Sequence, residues 1–88
     1  MLQRGQVVRS AAGRDAGRLM AVLAAGEEGV WIADGRERPL QRPKRKNPRH
    51  VVPVKAGLDE PSMATNRELR RALARIDRTQ GGMSQEGG

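Results

Sequence analysis

Apolar residues occur in short runs between glycines and charged residues as far as Val54. The runs Gln6–Ser10, Val30–Ala33 and His50–Val54 contain the β-branched residues that favour strands. Arg18–Ala25 is rich in Leu, Met and Ala, which also suit a helix, but glycines bracket this run and favour a strand. The pattern therefore predicts short strands joined by tight turns.

One dipeptide gives the clearest turn signal. Asp34-Gly35 directly follows the run Val30–Ala33, and Asp-Gly between extended segments is typical of a two-residue hairpin. We therefore expect a returning strand over Arg36–Leu40. The next segment, Gln41–Arg49, is basic and broken by prolines, so we expect a solvated loop there. Pro53, in the run His50–Val54, is expected at a sheet edge or a strand end, because proline donates no backbone hydrogen bond.

The second part of the chain predicts a helix. Thr65-Asn66-Arg67-Glu68 has the pattern of a capping box, and the apolar residues that follow it recur at helical spacing. That stripe consists of Leu69, Ala72, Leu73 and Ile76. About five strands with tight turns fit a small barrel or a sandwich. We expect a mostly β fold with a C-terminal α-helix: a small barrel over residues 1–55, a linker over 56–64, the helix over 65–79 and a disordered tail over 80–88.

The excess of basic over acidic residues indicates the kind of partner that the protein binds. The chain has 17 Lys and Arg against 10 Asp and Glu, a net charge of +7, and arginine dominates the excess. The planar guanidinium matches phosphate oxygens and stacks on bases. Nucleic acid is therefore the expected partner, and the alternative is a basic surface with no specific partner.

The order of these segments resembles a known family. Gly5–Ser10, the loop Gly13–Arg18 and the run to Val22 together resemble a KOW motif, and Ile32–Gly35 continues the likeness to the KOW domain of eukaryotic-type large-subunit ribosomal proteins of the fourteen/six/twenty-seven group. Bacterial KOW-domain RNA-binding proteins look closer still, since they also carry a basic loop and a helix similar to Thr65–Leu73. The resemblance implies an SH3-like barrel that binds RNA in translation, most plausibly ribosomal RNA.

Three basic segments are candidate RNA surfaces. In the loop Gly13–Arg18, Gly13 and Gly17 permit positive φ and close approach of the backbone to phosphate. The second segment runs from Arg36 to Arg49, and the third is the basic face of the helix. The residues expected to contact RNA are Arg9, Arg14, Arg18, Arg36, Arg38, Arg42, Lys44, Arg45, Lys46, Arg49, His50, Arg67 and Arg71. Each could instead be a solvated surface charge.

Other chemistry finds little support in the sequence. There is no Cys and one His, so no metal site is expected. No nucleotide-binding glycine motif and no catalytic residue stand out. We therefore expect that the protein is not an enzyme and that it binds no cofactor and no small-molecule substrate. Trp31 is the only aromatic residue; it could stack on a base, but a core or rim position is the more usual role. The N-terminus lacks a signal-peptide pattern and no run is long enough to span a membrane, so a cytoplasmic, ribosome-associated protein is expected.

Three alternatives stay open at this point. The chain could be an adaptor that docks on a ribosomal protein or a transcription factor, a general DNA-binding domain, or a peripheral membrane protein. The last reading is weakened by the absence of aromatic anchors on the helix stripe.

Overall fold

The computed structural model describes the backbone of residues 2–87 and the side chains of residues 2–79. It contains five strands, β1 (Gln6–Ser10), β2 (Leu19–Gly26), β3 (Gly29–Ala33), β4 (Lys44–Lys46) and β5 (Val51–Gly57), two 3-10 turns (Pro48–His50 and Pro61–Met63), and one helix, α1 (Asn66–Gly87). The prediction of a mostly β, barrel-like fold with a C-terminal helix is confirmed.

The five strands form one antiparallel sheet in the order β4-β3-β2-β1-β5. The predicted runs Gln6–Ser10, Arg18–Ala25 and Val30–Ala33 correspond to β1, β2 and β3. The run His50–Val54 corresponds to β5, which begins one residue later, at Val51. Since β5 is an edge strand, Pro53 lies where a missing backbone donor leaves no neighbour unpaired, as expected. The 3-10 turn Pro48–His50 joins β4 to β5, the two edges of the curved sheet.

Each face of the sheet carries its own apolar core. Successive strand residues point to opposite faces, so Val7 packs in one core and Val8 in the other. The inner core, inside the barrel, consists of Val8, Met20, Val22, Val30, Ile32 and Val51. The outer core, between the sheet and α1, consists of Val7, Leu19, Ala21, Ala33, Met63, Leu69 and Leu73. The helix therefore packs on the barrel and covers the outer face of the sheet.

The start of α1 follows the predicted capping pattern. The Glu68 backbone N–H donates to the Thr65 hydroxyl at 3.1 Å, and the predicted apolar stripe faces the sheet. The reciprocal bond from the Thr65 amide to the Glu68 carboxylate is absent within the described residues. The helix also continues past Gly81, where the apolar pattern ends, because propagation needs only one further backbone bond per residue. The disorder expected for residues 80–88 stays a prediction, and Gly88 lies outside the described residues.

The predicted strand over Arg36–Leu40 is wrong. The chain does turn at Asp34, but the Asp34 carboxylate accepts the backbone N–H groups of Arg36 and Arg38, both at 2.9 Å. The N–H of Leu40 donates to Asn66 Oδ1 at 2.7 Å. Because these donors are engaged elsewhere, the segment has no row of N–H groups left to pair with β3.

The partner of β3 lies instead within the segment predicted to be a solvated loop. Lys44–Lys46 forms β4, with Trp31 opposite Arg45 and Ile32 opposite Lys44. The segment 56–64 also differs from an open linker, because β5 continues to Gly57 and Met63 is only 5% exposed in the outer core. No helix of the described residues is long and apolar enough to cross a membrane.

Candidate nucleic-acid interface

The loop between β1 and β2, residues 11–18, is held in a fixed shape by its own backbone. Gly13 and Gly17 have φ of +81° and +86°, the left-handed region that favours glycine. The Gly17 N–H donates to Ser10 O at 2.7 Å, and the Gly17 carbonyl accepts from the Arg9 guanidinium at 2.6 Å. The second guanidinium nitrogen of Arg9 lies 3.5 Å from Asp77 of α1. Arg9 thus ties this loop to the helix.

A buried carboxylate anchors the same loop to the next one. Asp15 is 1% exposed, and its Oδ2 accepts from Nε of Arg38 at 3.3 Å. Its other oxygen has no hydrogen-bond partner within the described residues. A buried carboxylate without its cation is strongly disfavoured, so Arg38 serves as the counter-ion that keeps the loop packed.

Asp34 organises the segment after β3. It is 7% exposed, and Arg18 donates to its Oδ2 at 3.3 Å while also lying 3.7 Å from Glu37. Because Arg18 is the last residue of the β1–β2 loop and Asp34 follows β3, this pair joins the two loops a second time. The two ion pairs Asp15–Arg38 and Asp34–Arg18 cross between the same two segments.

On its other side the β1–β2 loop contacts β4 and the 3-10 turn. The ammonium group of Lys46 donates to the Ser10 hydroxyl at 2.8 Å and to the Ala12 carbonyl. The Ala11 N–H donates to the carbonyl of His50 at 2.8 Å. The loop is therefore held between the 34–43 segment and the Pro48–His50 turn.

The helix completes this arrangement. Arg70 donates to the Gly35 carbonyl at 2.9 Å, and the Asn66 side chain contacts Gln41 at 2.9 Å in addition to the Leu40 N–H. A Cβ at position 35 would lie 2.5 Å from the Asn66 carbonyl, so glycine permits this close approach. The 3-10 turn, the β1–β2 loop, the 34–43 segment and the start of α1 thus form one continuous surface, which we call the loop surface.

The structure divides the predicted RNA-contacting residues into two groups. The first group holds the fold together through protein oxygens, and it comprises Arg9, Arg18, Arg38 and Lys46. The second group makes no side-chain hydrogen bond or ion pair to the described residues, and it comprises Arg14, Arg36, Arg42, Lys44, Arg45, Arg49, His50, Arg67 and Arg71. All of the second group are exposed except Lys44, which is half-buried. Only this group is available in full to an external anion.

The second group is not spread evenly. Arg14, Arg36, Arg42 and Arg49 lie on the loop surface. Arg67 and Arg71 are exposed on α1, opposite the side that carries Leu69 and Leu73 into the outer core, and Arg75 and Arg78 extend the same row. Since α1 begins beside the 34–43 segment, the helix row continues the loop surface along a second element.

Sequence reasoning missed the residues that build this surface. Asp34 was read as a turn residue, Asn66 as part of a capping box, and Asp15 received no partner outside its loop. Their roles depend on contacts between positions 16 to 26 residues apart, such as Asp34 with Arg18 and Asn66 with Leu40. An acid or an amide in a segment otherwise full of arginine is the one signal that could have indicated them.

A concave feature of different character adjoins the loop surface at the 3-10 turn Pro48–His50. A cavity of about 500 Å³ opens beside the β2–β3 turn and is lined by Leu2, Ala25, Gly26, Glu27, Gly29, Val30, Pro48, Val51 and Pro53. Its walls are almost entirely apolar, with Glu27 the only charged residue. This cavity is suited to an apolar group and not to phosphate.

Three charged groups around the N-terminal segment, those of Arg4, Asp59 and Glu60, have pKa values shifted by hydrogen bonds. The Arg4 guanidinium donates to both oxygens of Glu60, at 2.8 and 2.9 Å, and this hydrogen bonding lowers the pKa of Glu60 and raises that of Arg4. Asp59 next to it accepts from Ser62, which lowers the pKa of Asp59. The Arg4–Glu60 pair fastens the N-terminal segment to the residue before the 3-10 turn Pro61–Met63, and the Asp59–Ser62 bond closes that turn.

No protein-family model and no curated protein sequence matches the chain. The resemblance to KOW domains therefore depends on the motif residues given above.

Proposed function

We propose that the protein is a non-enzymatic RNA-binding protein that uses the loop surface and the helix row to bind the phosphate backbone of structured RNA. One observation carries the proposal. Four arginines from different segments, Arg14, Arg36, Arg42 and Arg49, lie on one continuous surface without protein partners among the described residues, while neighbouring arginines are neutralised by buried acids.

The physical argument is one of uncompensated charge. Like charges held on one surface repel each other, and a polyanion removes that repulsion while releasing its own counterions. The ion pairs around Asp15 and Asp34 fix the backbone of the surface, so little conformational entropy is lost on binding. Phosphate contacts give affinity and orientation without reading the base sequence, which suits recognition by RNA shape.

The biological context follows from the KOW resemblance. We propose an SH3-like KOW barrel that works on the ribosome, with ribosomal RNA as the partner and ribosomal proteins as possible neighbours. The five-stranded antiparallel sheet with its short 3-10 connection between β4 and β5 supports a barrel of this kind.

Sedimentation tests this context. A native cell lysate is separated on sucrose gradients at low and at high salt, with and without nuclease, and the protein is detected by immunoblot. We expect the protein to migrate with ribosomes at low salt and to leave them at high salt or after nuclease treatment. A protein that stays at the top of the gradient at low salt would exclude the ribosomal assignment.

The apolar cavity favours a second candidate function, an adaptor that docks on a protein. A partner could insert an apolar side chain between Val30, Val51 and Pro53. Substitution of Ala25, which is exposed at the cavity, by Arg would block such docking. An interaction that survives nuclease treatment and is lost on Ala25→Arg would favour the adaptor over RNA binding.

A further inference from the structure

The only aromatic side chain of the protein lies outside both cores. Val30 and Ile32 point into the inner core, so Trp31 between them points to the outer face of β3. Trp31 is half-buried there and belongs to neither the inner nor the outer core. The largest apolar side chain of a small protein is thus left partly in water, where it contributes less to stability than it would inside.

The neighbours of Trp31 leave the side chain partly exposed and add a cation. Ala24 of β2 and Arg45 of β4 lie opposite Trp31 on either side, and opposed residues share a face of the sheet. Ala24 is exposed and too small to cover an indole. Arg45 is exposed and makes no ion pair within the described residues, although Glu27 and Glu28 occupy the adjoining turn.

Gly29 determines the path of the Arg45 side chain. A Cβ at Gly29 would lie 3.1 Å from Cγ of Arg45 and 2.9 Å from the Lys46 carbonyl, and Gly29 has φ of +145°. The Arg45 stem therefore lies along the same face of β3 that carries Trp31, two residues further on. An aromatic ring and an unpaired guanidinium stand side by side on one sheet face.

We propose that Trp31 and Arg45 form a binding site for one unpaired nucleotide of RNA, in which the base stacks on the indole and the phosphate is bound by the Arg45 guanidinium. The inference rests on the proposed RNA-binding function and adds to it a contact that requires a single-stranded residue. Base–aromatic stacking tolerates any base, so the site selects for unpaired nucleotides rather than for sequence. Lys44 on the same edge strand and Arg42 before it supply further cations along the path to the loop surface.

The fluorescence of Trp31 tests the site directly, because no other residue of the chain contributes tryptophan emission. The full-length protein is titrated with a single-stranded 12-nucleotide RNA and, separately, with a blunt-ended, fully paired RNA duplex. Binding is followed independently by anisotropy of a dye on the RNA. We expect quenching of Trp31 emission by the single-stranded RNA, and binding of the duplex without quenching.

Three variants complete the test. Trp31→Leu is expected to weaken binding of the single-stranded RNA about 5- to 150-fold, the range of one lost stacking contact, and Trp31→Phe to retain most of the affinity. Arg45→Gln leaves the fluorophore in place and is expected to weaken binding of the same RNA while quenching at saturation persists. For all three variants, affinity for the RNA duplex is expected to stay within about twofold of wild type.

Two results would overturn the inference, and they differ in what else they remove. If the single-stranded RNA binds with no change in Trp31 emission and Trp31→Leu binds it normally, the nucleotide site is excluded while the RNA-binding function stands. If neither RNA binds the wild-type protein, the proposed function fails and the inference fails with it.

Discussion

At the scale of single residues, the role of an arginine in this protein depends on whether a buried acid lies within ion-pair distance of it. Arg36 and Arg38 are two positions apart in the sequence, yet Arg38 neutralises the buried Asp15 while the Arg36 side chain reaches solvent. Arg14 and Arg18 divide in the same way, since Arg18 binds Asp34. Sequence reasoning assigned all four to RNA, because a count of charges does not show which charges are already paired.

The two arginines of the 36–38 turn give a matched pair for a stability test. We expect Arg38→Gln to lower the free energy of unfolding by about 1–3 kcal/mol, because it leaves the buried Asp15 carboxylate without a cation. Arg36→Gln removes the same charge from an exposed position and is expected to change it by less than about 0.5 kcal/mol. Urea unfolding at pH 7 measures both values.

RNA affinity gives a second comparison. Arg36→Gln, which is expected to leave the free energy of unfolding almost unchanged, is expected to weaken RNA binding. If Arg38→Gln proves as stable as wild type, Asp15 does not depend on Arg38 and the loop surface is held by other contacts.

Two glycines of positive φ offer a second residue-scale test. A Cβ at Gly35 would lie 2.5 Å from the Asn66 carbonyl, whereas a Cβ at Gly17 would meet nothing within 4 Å. We expect Gly17→Ala to cost about 1 kcal/mol for the left-handed backbone, and Gly35→Ala to cost at least about 2 kcal/mol more, because the turn and α1 must also separate. Equal losses in urea unfolding would show that the turn does not pack against the helix.

At the scale of elements, hydrophobic pattern predicted the strands that face a core and failed for those that do not. β1, β2, β3 and β5 carry the inner core residues and were recognised. β4 consists of Lys44-Arg45-Lys46, and no apolar alternation marks it as a strand. Its backbone pairs with β3 because the residues between them bond elsewhere. The Asp34 carboxylate accepts the N–H of Arg36 and the Asn66 side chain accepts the N–H of Leu40, so this segment does not pair with β3.

The helix was predicted from its apolar stripe, but the stripe alone did not show what it covers. Leu69 is fully buried in the outer core. We expect Leu69→Ala to lower the free energy of unfolding by about 2–4 kcal/mol, and Val52→Ala, at a position 53% exposed, by less than about 1 kcal/mol. Urea unfolding of the RNA-free protein measures both. A Leu69→Ala variant of wild-type stability would mean that α1 is not packed on the barrel before RNA binds.

The ion pair between the N-terminal segment and the second 3-10 turn predicts a pH dependence. Hydrogen bonding from Arg4 lowers the pKa of Glu60 from its ordinary value of 4.5. A group whose pKa is lowered on folding stabilises the protein above its unfolded pKa, and this contribution disappears as pH falls through the folded value. We therefore expect wild type to be slightly more stable than Glu60→Gln at pH 7, and we expect this difference to shrink as pH falls below about 4.5, in urea unfolding over a series of pH values. A difference that does not change across the acid range would contradict the assignment to Glu60 ionisation.

At the scale of the whole molecule, the sequence predicted the fold class and the presence of a basic surface, but not its construction. The strands and the helix follow from local patterns that each residue shares with its neighbours in the chain. The loop surface depends on pairs far apart in sequence, such as Arg9 with Asp77 and Arg70 with Gly35, which place the loops of the barrel beside the helix. The proposal of a polyanionic partner therefore comes from charge density, and the choice of the loop surface comes from the fold.

The salt dependence of RNA binding tests this account most directly. The affinity of the full-length protein for purified ribosomal RNA is measured from about 50 to 200 mM salt, for wild type, for a variant with Arg14, Arg36, Arg42 and Arg49 changed to Gln, and for Lys55→Gln as a control at an exposed position towards the far end of β5. Each phosphate contact contributes about 0.7–0.9 to the slope of log affinity against log salt. The account predicts that the fourfold variant keeps the stability of wild type and loses about 3 from this slope, while Lys55→Gln changes it by less than about 1. A fourfold variant with the wild-type affinity and slope would contradict the assignment of the loop surface to RNA.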